Sequence, residues 1–181
     1  IQYLNSYNIA GNHDLYVTQE LEFDPSKDKI YRTSWTRSVM KSSNLGWLSS
    51  LPISIQFNVS DNSKIKKILA YHGSPYNIES YIYPNSEIKF QQFDTETIVL
   101  LGNTHYPMIR NQESNILINP GSVGQPRDYN PMASYCKINL KELIIEIKRV
   151  LYNVSRCKKK LKLYHVSQMA IDMLSRTKKI H

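Results

Sequence analysis

Gly11-Asn12-His13-Asp14 puts an amide, an imidazole and a carboxylate on consecutive residues, just behind a short apolar run from Tyr7 to Ala10. That order reads as a strand ending in a loop, with Asn12 and His13 at the mouth of a sheet. Asp14 is placed to hold the imidazole by a hydrogen bond. Further along stand His72-Gly73-Ser74-Pro75 and Asn103-Thr104-His105. Asparagine and histidine offer oxygen and nitrogen donors with no thiolate. This set suits Mn, Fe, Co, Ni or Zn in a catalytic setting better than a closed cysteine zinc site. Asn103 and His105 can each clamp one ion of a close pair. Two such ions ~3.5–4 Å apart share a bridging hydroxide, acidify it, and hold both ends of an in-line displacement at phosphorus. His13 can then protonate the leaving oxygen or stabilise the charged transition state. Taken singly, these residues have plainer readings: a hydrogen-bonded structural histidine, a turn asparagine, a loop.

The elements that position them are legible from periodicity. Five of the six glycines (Gly11, Gly73, Gly102, Gly121, Gly124) and three of the five histidines fall in short turn-like stretches. Glycine there lets the backbone turn and approach a ligand. Ile53 to Val59 alternates as a half-buried strand, Asp61-Asn62-Ser63 turns, and Ile65 to Tyr71 returns as a hairpin partner. Ile98 to Leu101 is a continuous apolar run, the pattern of a strand covered on both faces. Short strands follow at Met108-Ile109 and Ile116 to Ile118. Ser134 to Leu140 and Leu143 to Val150 form a second hairpin. Ser34 is a plausible N-cap for a helix through Met40. Leu45, Trp47, Leu48 and Leu51 make an apolar helix face ended by Pro52. Ser86 to Phe93 is a candidate short helix. Val166, Met169, Ala170, Met173 and Leu174 form one apolar helical stripe.

A chain of 181 residues with 41% hydrophobic and 21% charged side chains accommodates one domain, 1–181. No apolar run reaches a membrane span, and no basic-then-apolar leader opens the sequence. Cys136 and Cys157 lack metal-type spacing, which points to reduced thiols and a cytoplasmic setting. The net charge of +8 sits in residues 141–181, with 11 basic and 3 acidic side chains against 12 and 12 before them. That excess reads either as a footprint for nucleic acid or an acidic membrane, or as a solvated basic helix face.

Gly11-Asn-His-Asp14, His72-Gly-Ser-Pro75, Gly102-Asn-Thr-His105 and Asn119-Pro-Gly-Ser-Val-Gly-Gln-Pro-Arg-Asp128 resemble the calcineurin-like metallophosphoesterase family, in order and along nearly the whole chain. They most resemble its small prokaryotic phosphodiesterase branch, as do Trp35-Thr36-Arg37 and the C-terminal helices. The resemblance implies a hydrolase with a four-layer α/β/β/α sandwich. It implies two divalent metals, most often Mn, at the strand ends. Asn12 and His72 would bind one ion and His105 the other. His13 would be the catalytic histidine, and the substrates phosphomonoesters, phosphodiesters or nucleotides.

Two departures qualify it. The family's opening Asp-x-His and Gly-Asp motifs are absent, so the fold is expected to lack its first strand-helix-strand portion, and the sequence reads as N-terminally incomplete. The third block normally reads Gly-His-Thr-His, and Asn103 replaces its first histidine. With the carboxylate ligands missing, weak metal binding is expected. The alternative is a non-catalytic scaffold of this fold that binds other proteins, as a retromer coat subunit does. The glycine-rich stretch from Asn119 lacks the Gly-Lys-Ser/Thr of a nucleotide P-loop and reads as a tight turn. Arg127, just after it, is a candidate phosphate contact.

Overall fold

The computed structural model describes residues 6–59, 63–87 and 93–177. Helices come first: α1 (Asn12–Thr18), a 3₁₀ turn (Pro25–Lys27), α2 (Asp28–Tyr31), α3 (Thr33–Val39) and α4 (Ser42–Ser49). Strands follow as β1 (Ser54–Asn58), β2 (Lys67–Tyr71), β3 (Thr97–Leu100), β4 (Met108–Gln112), β5 (Asn115–Asn119), β6 (Ala133–Asn139) and β7 (Ile144–Val150). Helices α5 (Val154–Leu163) and α6 (Gln168–Met173) close the order.

One sheet has the strand order β1-β2-β3-β5-β4, and β6 and β7 form a second. The β1–β2 hairpin pairs Ser54 with Tyr71. Strand β3 is parallel to both of its neighbours, β2 and β5. Crossover-linked parallel strands are covered on both faces, which is why Ile98 to Leu101 shows no alternation.

The two faces carry separate clusters. Ile98, Ile116 and Ile118 point toward the second sheet and meet Cys136, Ile138 and Ile145. Val99, Leu101 and Leu117 point the other way, against Met108, Tyr71, Ile82 and Phe93. Each fully buried isoleucine contributes on the order of 2–3 kcal/mol of transfer free energy. The result is a mixed α/β fold with two packed sheets.

Local structure departs from expectation in five places. Tyr7 to Ala10 is not a strand; the Ala10 N–H donates to Pro52 O at 2.9 Å. The glycine-led motif opens helix α1 instead of a loop, because Asp14 Oδ2 accepts the Gly11 N–H at 2.8 Å and caps the first turn. Helix α3 starts one residue before Ser34, with Arg32 at its cap in a left-handed conformation. The C-terminal stripe is fully buried only at Leu174; Ile171, outside the stripe, is also buried, while Met169 is 56% exposed. Ser86 and Glu87 are not helical, and the rest of that expected helix, with the turn at Asp61-Asn62, lies outside the described residues. Among the described residues no helix is long and apolar enough to cross a membrane.

Candidate active site

A cleft of about 500 Å³ opens where the loops after β2, β3 and β5 meet the N-terminus of α1. Asn12, His13 and Asp14 line it from α1, His72 from the end of β2, and Asn103 and His105 from the loop after β3. Gln125 and Arg127 line it from the stretch after β5. Every candidate site residue read from the sequence is therefore in one place.

The backbone is shaped around His72. A Cβ on Gly11 would sit 3.0 Å from its Cε1, and one on Gly102 3.3 Å from its Nδ1. Two glycines thus let two loops close on one imidazole. The Gly102 N–H also donates to His72 O at 2.8 Å.

The loop after β3 is held by Asn119, which is fully buried. Its Nδ2 donates to Gly102 O at 2.6 Å and to Thr104 Oγ1 at 3.0 Å, and its Oδ1 accepts the Gly121 N–H at 2.9 Å. The next loop joins on at His105. Its Nδ1 lies 2.9 Å from Gln125 O, and the Arg127 N–H donates to His105 O at 3.1 Å. Asn103 and His105 both hold φ of 57°, a left-handed conformation costing a non-glycine residue roughly 1–2 kcal/mol.

The charges around the histidines are unusual. Burial, assisted by the Arg127 guanidinium, pushes His105 down to about 4. Burial also lowers His13, with Asp14 opposing and Arg127 assisting, and lowers His72. All three imidazoles are shifted toward the neutral form. Asp14 acts on His13 through charge, while its carboxylate is engaged by the Gly11 N–H. His13 itself packs edge-on to Tyr31, ring centres 4.7 Å apart.

Residues 2–142 match the calcineurin-like phosphoesterase superfamily domain, well over half of the chain. The chain belongs to that superfamily. It is 33% identical over 177 residues to the uncharacterized protein MJ0912 of Methanocaldococcus jannaschii, covering 89% of this chain and 71% of the relative. Its fold is similar to that of the hypothetical protein PH1004 from Pyrococcus horikoshii OT3, with a TM-score of 0.76 at 18% identity over 99% of this chain and 76% of that one. A metallophosphoesterase from Sphaerobacter thermophilus superposes with a TM-score of 0.73 at 24% identity, over 94% of this chain and 76% of that one. Membership supports a phosphoesterase-type function.

Calcineurin-like phosphoesterases generally use divalent metals, so the donors must be tested for fit. Asn12 Oδ1 and His72 Nε2 are 3.0 Å apart, the separation of two adjacent ligands each ~2.1 Å from one ion. In the present arrangement Nε2–H donates to Oδ1; ligation requires that proton on Nδ1. His105 uses Nδ1–H on a carbonyl, which leaves the Nε2 lone pair free, as a ligating histidine needs. Asn103 donates Nδ2–H to Ser80 O at 2.9 Å and keeps Oδ1 as an acceptor. These four fit the uncharged share of a divalent metal site. Among the described residues no group of three His, Cys, Asp or Glu is close enough to hold an ion. A pair of divalent ions needs carboxylates that the described lining, with Asp14 its one acid, does not supply.

Three roles escaped the sequence reading. Asn119 was quoted as the first residue of the glycine-rich block, but not as the anchor of the loop after β3. Tyr16 gave no signal; it accepts from Asn12 Nδ2 at 3.5 Å and donates to Glu79. The apolar lining from α2 was not singled out, and that from α6 was read only as an apolar helical stripe.

Proposed function

We propose that this cleft hydrolyses phosphoesters, namely phosphodiesters or nucleotides, with divalent metal ions as cofactors and Mn foremost among them. One observation carries this: His13, His72 and His105 converge with Arg127 on a single cleft of about 500 Å³, in a chain of the calcineurin-like superfamily. Asn12, His72, Asn103 and His105 would hold the metal. When bound, a divalent metal supplies Lewis-acid polarisation of the phosphoryl oxygens and an acidified attacking water.

The remaining roles fall to side chains of the cleft. Arg127 has a buried Nε with no partner among the described residues, and no carboxylate there lies within ion-pair distance of it. An anionic phosphoryl oxygen satisfies both its hydrogen bond and its charge. In the hydrolysis, water oxygen forms a new bond to phosphorus and the ester P–O bond breaks. The water's proton is released to solvent, and His13 gives a proton to the leaving oxygen. Burial disfavours the protonated form of His13, and an anionic substrate beside it favours that form.

A second reading, a non-catalytic protein-binding scaffold, is favoured by the lack of clustered acidic ligands among the described residues. Free Cys136 and Cys157 support a cytoplasmic location. Arg156 and the lysines of α5 support contact with nucleic acid, which salt-sensitive binding would reveal.

The test is hydrolysis of an aryl phosphodiester by the full chain with Mn, before and after chelation. Product above the protein-free control, lost on chelation, is expected. No product at any Mn concentration favours the scaffold.

A further inference from the structure

The cleft has two chemically different sets of lining residues. His13, His72, His105 and Arg127 are the polar set. Ile30 and Tyr31 of α2 with Met169 and Met173 of α6 are the apolar set, and Tyr31 packs edge-on to His13 with ring centres 4.7 Å apart. Ile30 is 45% exposed, Tyr31 39% and Met169 56%. Large hydrophobic side chains left in water beside a polar site are informative when they gather on one wall.

That wall is preformed. Helix α6 is anchored by buried Ile171 and Leu174. Arg176, just past its end, donates to Arg127 O at 3.0 Å and stacks over Tyr129 at 4.7 Å. The α2 side is tied to the same region, since Arg32 donates to Tyr164 O and Trp35 packs 5.9 Å from the Tyr164 ring. These contacts tie the end of α6 to Arg127, and the residues after α2 to the end of α5. A ligand fills this shape if it carries an anion at one end and a flat apolar group at the other. Methionine sulfur and the tyrosine ring both favour an aromatic group over an aliphatic one.

We infer that the wall of Ile30, Tyr31, Met169 and Met173 selects phosphoesters whose ester oxygen carries an aromatic group, with Arg127 holding the phosphoryl anion. This rests on the phosphoesterase reading and names the substrate class of that same site. Selection arises because the wall buries the ring, while a small alkyl ester leaves it wet. Burial of about 60 Å² of apolar surface gives the aromatic ligand an advantage on the order of tenfold.

The experiment compares phenylphosphonate with methylphosphonate by titration calorimetry on the full chain without added metal. The wild type should bind the phenyl compound about tenfold tighter. Met169→Gln, at an exposed position, should cut that preference to about threefold, and Met169→Gln with Met173→Gln should nearly abolish it. Thermal melts of both variants verify folding, and the single variant decides if the double one unfolds. Equal wild-type affinities for the two phosphonates overturn the wall while leaving the phosphoesterase reading in place. A phenyl preference unchanged in Met169→Gln does the same. Binding of neither phosphonate below about 10 mM overturns the wall and removes phosphate recognition from the cleft as well.

Discussion

Asn12 Oδ1 lies 3.0 Å from His72 Nε2, joining residues sixty positions apart. The contact crosses from the first turn of α1 to the end of β2, with Gly11 and Gly102 backbones pressed against the imidazole. Two donors at this spacing can close on one cation. Changing His72→Ala should weaken Mn binding by about tenfold or more. Asn12→Asp should tighten it by a similar factor, because it adds negative charge to a neutral donor set. Calorimetric titration checks both; unchanged affinity in both variants removes the pair from the metal site.

Gly11→Ala tests the packing around the same ring. The added Cβ would lie 3.0 to 3.2 Å from three imidazole atoms, so His72 must shift by a few tenths of an ångström. Mn affinity should fall several-fold, with a stability change within about 1 kcal/mol. A large drop in melting temperature with unchanged Mn affinity would show that Gly11 serves folding alone.

Asn119→Ala should be costly. It strands the Gly121 N–H and removes one of two donors from both the Gly102 carbonyl and the Thr104 hydroxyl, in a site with no water access at Asn119. A loss on the order of 1–3 kcal/mol is expected. Urea denaturation measures it, and a loss under about 1 kcal/mol would mean the loops hold without this anchor.

Stability should also depend on pH. His105 has its folded pKa lowered from 6.5 to about 4, and His13 and His72 shift the same way. An imidazole with a lower pKa in the folded chain binds its proton more readily once unfolded. Between pH 6.5 and about 4 the unfolded chain takes up the extra protons, so stability falls as pH drops through that window. Above pH 6.5 the contribution is constant. The melting temperature should be lower at pH 5 than at pH 7.5, and His105→Gln should shrink the difference. A flat profile in the wild type would contradict the burial of these rings.

The strands were legible because their burial is written as periodicity. Ile98 to Leu101 announced a sheet interior, and the β6–β7 hairpin was plain from its alternation. The site residues were legible as types, since Asn12, His13, His72, Asn103 and His105 recur beside glycines at strand ends. What the sequence hid was the use of each polar atom. Asp14 looked like a brace for His13 and instead caps α1, because a carboxylate three residues into a helix reaches the cap N–H more readily than its neighbour's ring. The stripe on α6 looked like core, yet helical periodicity marks an apolar face without saying what it faces. Met169 and Met173 line the cleft, and of the stripe only Leu174 is fully buried, beside Ile171 from outside it.

The role of His13 at the phosphoester is tested most directly by steady-state hydrolysis of an aryl phosphodiester with Mn, wild type against His13→Ala. His13 stands in the cleft beside Tyr31, and no described hydrogen bond ties its ring to the fold, so the variant should fold normally. Loss of a positioned proton donor should lower kcat about a hundredfold or more while leaving KM within a few-fold. Equal kcat for the two proteins would contradict catalysis by His13 in this cleft.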